Sequence, residues 1–395
     1  MREHKVLLEK IHIRNFLSLR DVILPLKPLT VLVGPNGSGK SNSLISMNVL
    51  KKMIYAEMPP PADFIQNVTW AGGANKVVFH LEVKIDETPA TYKLELEEAE
   101  RKEEQIALEE LIVNEIKVIS VRNGQGEVKD ENDNNVTKYR PSKPKLALKS
   151  ASDYGDKPKT AALTEFIRGW EFYNFQPDVM RGRNGFTIVL GNPEIHAGHP
   201  KLPPLNHDGS TLKDILSYWS ENDEERFQSV NESLENCIKR RIGYHRTGGG
   251  DGELCLWEGY PVSLRRASDG TMRLLAYQVL LNHPDLPPLI AIEEPERNLH
   301  PAIFKEIVGV LEQLAERTQV IITTHSSQLL DAFNSEGLPD NLGVLLLQNV
   351  PEEGTKVINL EETRKDRKAL DGWITDFGIG SAIFDSELLQ DIMEG

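Results

Sequence analysis

The chain has 395 residues, which is enough for one to three domains with a large apolar core. Hydrophobic residues make up 39% and charged residues 27%, a balance that is typical of globular proteins and excludes a disordered chain. The formal net charge of -15 excludes a protein that coats nucleic acid with its whole surface, so any such contact requires a local basic patch.

The two cysteines, Cys237 and Cys255, show neither a CxxC pattern nor metal-ligand spacing. This usage is typical of proteins in a reducing compartment. No apolar run reaches the ~18 residues that a membrane helix requires, and residues 1–6 lack the apolar core of a signal peptide. We therefore expect a cytoplasmic protein without membrane contact.

The N-terminal segment is predicted to contain three strands and a helix. Residues 5–17 alternate apolar and polar side chains, as in a half-buried strand, and residues 21–26 are expected to pair with them. Leu29–Val33 is short, apolar and bounded by proline and glycine, which predicts a buried strand. Residues 41–54 then follow a helical period. Strand, glycine loop and helix is the order that a phosphate-binding loop requires.

The middle of the chain is more polar than either end. Lys76–Ile85 and residues 91–96 alternate as two strands. Residues 97–160 are strongly charged and are predicted to be loop-like. We interpret residues 85–160 as an insertion or lid with mobile parts, and we predict a helix over residues 161–172.

Apolar strands paired with helices return in the last half of the chain. The predicted helices cover residues 212–218, 225–238, 270–281 and 301–317, and the predicted strands cover residues 253–257, 262–264, 289–292, 320–323, 342–348 and 356–360. Because both ends of the chain carry this pattern, we predict one α/β domain that is assembled from both ends around an inserted middle.

The first motif is a full match to the phosphate-loop pattern GxxxxGK(S/T). Its residues are Gly34, Pro35, Asn36, Gly37, Ser38, Gly39, Lys40 and Ser41. Glycines let backbone N–H groups approach phosphate closely, and the following helix offers its N-terminus to negative charge. Lys40 is expected to reach the β- and γ-phosphates, and the Ser41 hydroxyl is expected to bind Mg²⁺. The motif therefore predicts ATP and Mg²⁺ as ligands.

The second motif is an apolar strand that ends in two carboxylates, Glu293 and Glu294. We expect Glu293 to reach the Mg²⁺ shell through water and Glu294 to orient or deprotonate the attacking water. Acidic residues after a strand are common, so this interpretation depends on the phosphate loop occurring in the same chain.

The third motif, ASDGT at residues 267–271, opens a predicted helix. Ser268 and Gly270 are candidates for a phosphate-binding helix terminus, and an ordinary helix cap remains an alternative. A fourth motif is a buried strand that ends in His325, which is placed to contact the γ-phosphate. A structural role for this histidine also remains open.

The order and spacing of these four motifs resemble those of ABC ATPases. The segments IRNFLSLRD (13–21), SDGTMRLL (268–275), AIEEPERNLHP (291–301) and ITTHSSQLLD (322–331) are similar to the prokaryotic RecF/SMC-like AAA ATPase group, which includes the ATPase halves of OLD nucleases. The resemblance covers roughly residues 1–55 and 160–395. Two departures from the general ABC pattern are Glu293 in place of aspartate and SDGT in place of SGGQ.

The resemblance implies an α/β P-loop NTPase with a mixed sheet, flanking helices and an inserted polar or helical subdomain. It also implies a division into three parts. Residues 1–84 would form the first part of the ATPase domain, residues 85–160 the insertion, and residues 161–395 the remainder with a helical subdomain.

In that family two protomers enclose two ATP molecules, so a homodimer across ATP is expected. Ser268 and Gly270 would cap the γ-phosphate held by the partner, and residues 298–300 would form the D-loop at the interface. Gln176 is the candidate Q-loop residue that contacts Mg²⁺ and water, with Gln66 as an alternative.

Two functions remain open on the sequence. The resemblance implies an ATP-driven clamp on DNA in repair or anti-phage defence, with residues 138–149 and 239–246 as candidate basic patches. The alternative is a regulatory ATPase that holds or releases a separate toxin or nuclease. A transporter ATPase is disfavoured, because the SDGT and EEPE segments differ from the transporter pattern.

Overall fold

The fold contains two large β-sheets, a small third sheet and thirteen helices in the part of the chain that the structure describes. The structure is a computed structural model. It describes residues 4–56, 62–70, 76–98, 105–141, 145–153, 155–182, 201–245, 252–333 and 340–384.

The first large sheet has six strands in the order β10-β14-β15-β3-β16-β17, of which only β17 runs antiparallel to its neighbour. Its strands are β3 (Leu29–Val33), β10 (Glu171–Tyr173), β14 (Leu289–Glu293), β15 (Gln319–Thr324), β16 (Leu342–Val350) and β17 (Gly354–Asn359). All five residues of β3 are buried, as expected for a parallel strand that is covered on both faces. The predicted mixed α/β sheet is confirmed.

The second large sheet is antiparallel and has eight strands in the order β2-β1-β4-β5-β6-β7-β8-β9. Its strands are β1 (Val6–Phe16), β2 (Leu19–Pro25), β4 (Lys76–Ile85), β5 (Thr88–Glu97), β6 (Ile106–Val113), β7 (Ile116–Arg122), β8 (Gln125–Val128) and β9 (Thr137–Tyr139). The loop-like prediction for residues 97–160 is therefore wrong, because four strands lie there.

The helices flank these sheets and cluster toward the C-terminus. They are α1 (Lys40–Ala56), α2 (Ala62–Val68), α3 (Ala147–Ser152), α4 (Pro158–Arg168), α5 (Pro177–Arg181), α6 (Leu212–Asn222), α7 (Glu224–Ile238), α8 (Asp269–Asn282), α9 (Phe304–Arg317), α10 (Ser327–Ala332), α11 (Leu360–Asp366), α12 (Lys368–Phe377) and α13 (Ile379–Phe384). The third sheet contains β11 (Arg241–His245), β12 (Glu253–Trp257) and β13 (Pro261–Ser263), and β12 and β13 correspond to the strands predicted over residues 253–257 and 262–264.

The helix predicted over residues 161–172 ends earlier, at Arg168, and the chain then enters β10. Gly169 turns the chain out of the helix: its N–H bonds back to the Glu165 carbonyl, and a methyl group on it would lie 2.8 Å from the Pro288 ring. The following residues pair with β14 in a parallel register, which is a long-range contact that helical spacing does not reveal.

Two apolar cores lie on opposite sides of β3. Leu29, Val31 and Val33 belong to the core that is shared with α6–α10, whereas Leu32 faces the core that is shared with α1 and the antiparallel sheet. The strands β5–β7 contribute to this second core together with β1 and β4. The division at residues 84 and 160, and the interpretation of residues 85–160 as a lid, stay predictions.

A candidate phosphate-binding cleft at the end of the parallel sheet

The phosphate loop lies between β3 and α1 and is pressed against the last two strands of the sheet. A Cβ atom at Gly34 would lie 2.2 Å from the carbonyl oxygen of Leu347, and one at Gly39 would lie 2.2 Å from Thr355 Oγ1. Gly39 also has a φ of +104°, which side-chain-bearing residues rarely adopt. The loop therefore requires glycine at both positions to keep this backbone path.

The turn between β1 and β2 contributes hydrogen bonds to residues that adjoin the phosphate loop. The Ser18 hydroxyl lies 2.8 Å from Thr355 Oγ1 and accepts a hydrogen bond of 2.8 Å from Asn42 Nδ2. The N–H of Thr355 donates to the Ser18 carbonyl at 2.7 Å. Residues from the first strand pair, α1 and β17 are thus joined by one small hydrogen-bond network beside the phosphate loop.

Lys40 is the first residue of α1, and its side chain folds back over the loop. Its Nζ donates to the carbonyl oxygens of Gly34 at 2.7 Å and Pro35 at 2.9 Å. Burial lowers the pKa of Lys40, although the nearby carboxylates of Glu294, Glu296 and Glu293 oppose this shift. The Lys40 ammonium is thereby held at the phosphate loop, within electrostatic range of these three carboxylates.

The loop forms one wall of a cleft of about 300 Å³. Its lining residues are Asn36, Gly37, Ser38, Gly39, Lys40, Ser41, Asn42, Asn174, Glu293, Glu294, Arg297 and Thr323. Six of these lie in the predicted loop, and two are the predicted carboxylates, so the structure brings the first two motifs together.

The carboxylate pair follows from the way β14 ends. Glu293 is the last residue of β14 and pairs with Thr323 of β15. Glu294 then leaves the strand with a φ of 44°, in the left-handed region, and its N–H donates to the Thr323 carbonyl at 3.0 Å. Such a φ is uncommon for a glutamate and turns its side chain toward the cleft.

His325 contacts Glu294 but is not itself among the residues that line the cleft. Its Nδ1 lies 2.9 Å from Glu294 Oε1, and about half of the His325 side chain is exposed. The sequence had placed these residues on two separate strands. The parallel pairing of β14 with β15 brings the two strand ends to one edge of the sheet.

Two residues that line the cleft were not predicted. Arg297 follows the carboxylate pair, and Asn174 follows β10. Gln176, the predicted Q-loop residue, is exposed at the start of α5 and is not among the residues that line the cleft. Gln66, its alternative, pairs with Glu98 on the antiparallel sheet. The segment that contains Gln176 reaches the cleft through Asn174, which could have been found as the polar residue nearest the strand end, and the Q-loop role of Gln176 stays a prediction.

The ASDGT motif lies at the start of α8, and none of its residues is among those that line the cleft. The Ser268 hydroxyl accepts from the Thr271 N–H at 3.2 Å, which is the geometry of an N-cap. Asp269 pairs with Arg181 and accepts from Asn298 Nδ2 at 3.2 Å. The cap interpretation of Ser268 is confirmed, and its proposed phosphate contact stays a prediction.

The candidate D-loop lies directly against this helix start. Asn298 has a φ of 63°, and its carbonyl oxygen would lie 2.7 Å from a Cβ atom at Gly270. Leu299 is buried beside it, and His300 Nδ1 accepts from the Ala302 N–H at 3.2 Å. The turn after Glu294 therefore links the cleft to the ASDGT motif within one chain.

The donor set fits a nucleoside triphosphate with Mg²⁺. Ser38 Oγ is buried without a hydrogen-bond partner among the described residues, which suits a phosphate acceptor. No group of three or more His, Cys, Asp or Glu side chains forms a metal site in the described segments. One serine hydroxyl and one carboxylate are the few protein ligands that Mg²⁺ usually takes when phosphate oxygens complete its shell.

The basic segment 239–246 is partly neutralised by its own neighbours. Arg240 pairs with Glu258, and Arg241 pairs with Glu235. Residues 246–251 lie outside the described residues. In the segment 138–149, Lys149 pairs with Asp153. No described helix is long and apolar enough to span a membrane.

Two protein-family models match the chain in separate regions. Residues 7–170 match the model "AAA ATPase domain", and residues 212–331 match "AAA domain, putative AbiEii toxin, Type IV TA system". The first region contains the phosphate loop, and the second contains the ASDGT motif, both cleft carboxylates and His325.

A curated relative is the OLD nuclease of Thermus scotoductus (strain ATCC 700910 / SA-01), which is 37% identical over 62 residues. That match covers 15% of this chain and only 12% of the nuclease.

Solved SMC heads have a similar fold. An SmcHead bound to the C-winged helix domain of ScpA has a TM-score of 0.51 at 14% identity, covering 91% of this chain and 99% of that one. An Smc head domain from Pyrococcus furiosus, with an extended coiled coil and bound to the C-terminal domain of ScpA, has a TM-score of 0.50 at 12% identity, covering 92% and 99%. The chain thus contains two regions that match AAA ATPase family models, is similar to an OLD nuclease over a short segment, and has the fold of an SMC head.

Proposed function

We propose that the chain binds and hydrolyses ATP in the cleft between the phosphate loop and the Glu293–Glu294 pair. The observation that carries this proposal is the contact of 2.9 Å between His325 Nδ1 and Oε1 of Glu294, which lines that cleft. A carboxylate held by a histidine beside a phosphate loop is suited to orient a water molecule and take its proton.

Each residue has a role that follows from its position. The loop N–H groups and the Lys40 ammonium bind the phosphates, and Lys40 exchanges its present carbonyl partners for phosphate oxygens. Glu294 orients the attacking water, and His325 holds the Glu294 carboxylate and contacts the γ-phosphate. Ser41 and Glu293 would hold Mg²⁺, which neutralises charge on the transferred phosphoryl group. The loop after β10, through Asn174 or Gln176, completes the polar wall.

We further propose that the active form is a homodimer across ATP. The cleft surrounds one side of a nucleotide, and the ASDGT motif of the same chain does not line it. Ser268 and Asp269 are exposed at the start of α8. A helix start of this kind, supplied by the second protomer, would bring N–H donors to the open side of the γ-phosphate.

The broader role that we propose is an ATP-driven clamp on DNA, in repair or anti-phage defence, in the cytoplasm. The SMC-head fold and the similarity to an OLD nuclease support this role. The second candidate is a regulatory ATPase with a separate toxin or nuclease partner. The description of the model that matches residues 212–331, which names a toxin and a type IV system, favours it.

The test is ATP turnover and mass in solution for the wild type and for Glu294→Gln, each with and without DNA. We expect the wild type to hydrolyse ATP and Glu294→Gln to lose about 100-fold or more in turnover, since a general base contributes about that much. The variant should accumulate as a dimer only when ATP is present. Glu306→Gln, an exposed carboxylate on α9, is the matched control and should behave as the wild type.

Stimulation of turnover by DNA would favour the clamp over the regulatory ATPase. A wild type that binds ATP without hydrolysing it or dimerising would contradict the proposed activity and favour a regulator that needs its partner.

A further inference from the structure

Behind the cleft, four buried polar side chains join three elements of the candidate site. Glu296 is 7% exposed, Thr324 0%, Arg273 3% and Tyr277 1%. Glu296 lies in the turn after Glu294, Thr324 ends β15, and Arg273 and Tyr277 lie one turn apart on α8. We call these four residues the buried polar cluster.

The Thr324 hydroxyl makes two hydrogen bonds that fix the turn around His325. It donates to Glu296 Oε1 at 2.5 Å and accepts from the N–H of Ser326 at 3.0 Å. His325 lies between Thr324 and Ser326 in the sequence. The position of its ring beside Glu294 therefore depends on the Thr324 hydroxyl, and through it on Glu296.

Charge interactions connect Glu296 to α8. Burial raises the pKa of Tyr277, the Arg273 guanidinium opposes this rise, and the Glu296 carboxylate adds to it. Burial also raises the pKa of Glu296, although the Thr324 hydrogen bond opposes the shift. The Glu296 carboxylate and the α8 side chains therefore lie within electrostatic range of one another.

The buried polar cluster is incompletely hydrogen-bonded. Glu296 Oε2 and Arg273 Nε have no hydrogen-bond partner within the described residues. A buried polar atom without a hydrogen-bond partner destabilises the folded state, so an apolar replacement would stabilise the fold more. A cluster of this kind is better explained by a change of arrangement during function than by stability.

We propose that Glu296 is a positioning residue that couples the start of α8 to the Glu294–His325 pair. Glu296 holds the His325 turn through Thr324. The Glu296 carbonyl also accepts a hydrogen bond of 3.0 Å from the Leu299 N–H, and the adjacent Asn298 contacts Gly270 and Asp269 at the start of α8. Engagement of the ASDGT motif by a second protomer would in this way set the position of His325. This inference rests on the proposed ATP hydrolysis.

The test compares Thr324→Val, Thr324→Ser and Glu296→Gln in the full chain by steady-state ATP hydrolysis. Valine keeps the volume of threonine and removes the hydroxyl, whereas serine keeps the hydroxyl. We expect Thr324→Val to lower kcat about 10-fold while KM for ATP changes less than about 3-fold, and Thr324→Ser to restore kcat to within about 2-fold, as for residues that orient a reacting group. Glu296→Gln keeps an acceptor oxygen for the Thr324 hydroxyl and should lower kcat less than Thr324→Val.

The matched control is Thr30→Val, which also removes a fully buried hydroxyl from the same sheet. Thr30 bonds to the backbone of Lys27, away from the cleft. The Thr30→Val substitution should lower the melting temperature without lowering kcat. A Thr324→Val variant with the kcat of the wild type, or equal losses in Thr324→Val and Thr324→Ser, would overturn the coupling role.

Amide hydrogen exchange over residues 322–331 provides a readout that does not depend on turnover. The Ser326 amide should exchange faster in Thr324→Val than in the wild type, and at the wild-type rate in Thr324→Ser and Thr30→Val. A wild type without turnover would contradict the proposed function, whereas unchanged exchange in Thr324→Val would contradict the positioning role alone.

Discussion

The carbonyl oxygen of Asn298 lies so close to Gly270 that a Cβ atom there would approach it to 2.7 Å. This contact joins the start of α8 to the turn that follows the cleft carboxylates. The neighbouring side chains reinforce it, because Asn298 Nδ2 also donates to Asp269 at 3.2 Å.

Gly270→Ala is therefore expected to displace the Asn298 turn from α8 and to weaken dimerisation across ATP. A separation below 3.0 Å from backbone cannot be relieved by a side-chain rotation, so the turn must shift. We expect turnover to fall about 10-fold, since small displacements in a preorganised site have effects of this size. The measurements are turnover and the ATP-dependent change in mass.

Gly309→Ala is the matched control for that substitution. Gly309 lies on α9, and a Cβ atom there would meet no atom within 4 Å. Alanine should stabilise the helix by up to about 1 kcal/mol and leave turnover unchanged. Equal turnover in the two alanine variants would show that the contact between Gly270 and Asn298 has no role in dimerisation.

Arg297 is expected to contribute to ATP binding. Its exposed side chain lines the cleft on the same side as Glu293 and Glu294, and its guanidinium provides a cation for phosphate. Arg297→Ala should raise KM for ATP about 10-fold, with a smaller effect at high salt, because exposed charges are screened. Arg122→Ala, which removes an exposed arginine from β7, should leave KM unchanged. The prediction fails if both variants have the same KM.

Glu109 is expected to make the stability of the chain depend on pH. It is fully buried on β6, and burial raises its pKa from 4.5 to about 7 although the N–H groups of Ala147 and Leu148 and the Tyr92 hydroxyl oppose the shift. Between pH 4.5 and about 7, Glu109 therefore keeps its proton in the native state, whereas the same residue has lost its proton in the unfolded chain. This contribution to stability is fully present below pH 4.5 and is lost as the pH rises through 7.

Urea unfolding at pH 5 and pH 8 measures this contribution. Between these values the wild type should lose about 2–3 kcal/mol more unfolding free energy than Glu109→Gln, since one pKa unit corresponds to about 1.4 kcal/mol. Glu110→Gln, which alters the neighbouring carboxylate that pairs with Lys117, should follow the wild type. An identical loss in wild type and Glu109→Gln would rule out titration of Glu109 in this range.

The basic segment at β11 is expected to carry any DNA contact of the clamp. The ion pairs of Arg240 with Glu258 and of Arg241 with Glu235 are on the surface and contribute at most about 1 kcal/mol each, so phosphates can replace the carboxylates. Reversing both charges, Arg240→Glu with Arg241→Glu, should reduce the slope of log binding constant against log salt by about 2 units.

Duplex DNA binding measured between about 50 and 200 mM salt provides that slope. The matched double reversal, Lys52→Glu with Arg122→Glu, changes the same net charge at α1 and β7 and should reduce the slope less. Absence of binding by the wild type at the lowest salt concentration would rule out the clamp and leave the regulatory ATPase.

The sequence pattern predicted an element correctly where residues close to it in the sequence define its boundaries. The buried strand Leu29–Val33 has the predicted bounds, and α1 covers the predicted helix after it, because glycines mark the boundary and the apolar period is uninterrupted. The phosphate loop and the carboxylate pair were found by the same means, since each is a continuous segment at the end of a strand.

The strands β6–β9 were missed because their pairing depends on distant residues. In β6 the alternation is broken by the buried carboxylate of Glu109, which would be costly without partners. Its partners are the N–H groups of Ala147 and Leu148, which lie 38 and 39 residues further along the chain. Arg297 and Asn174 were missed for a similar reason, because the cleft that they line exists only after β10 and β14 have paired.

The position of β3 between β15 and β16 has a consequence for folding during translation. The strand before the phosphate loop pairs with residues about 290–310 positions later in the chain, and a Cβ atom at Gly39 would meet Thr355. Most of the polypeptide must therefore leave the exit tunnel before the nucleotide pocket can close. Until then the apolar face of β3 is a natural substrate for chaperones, and nascent chains stalled before residue 355 should not retain ATP.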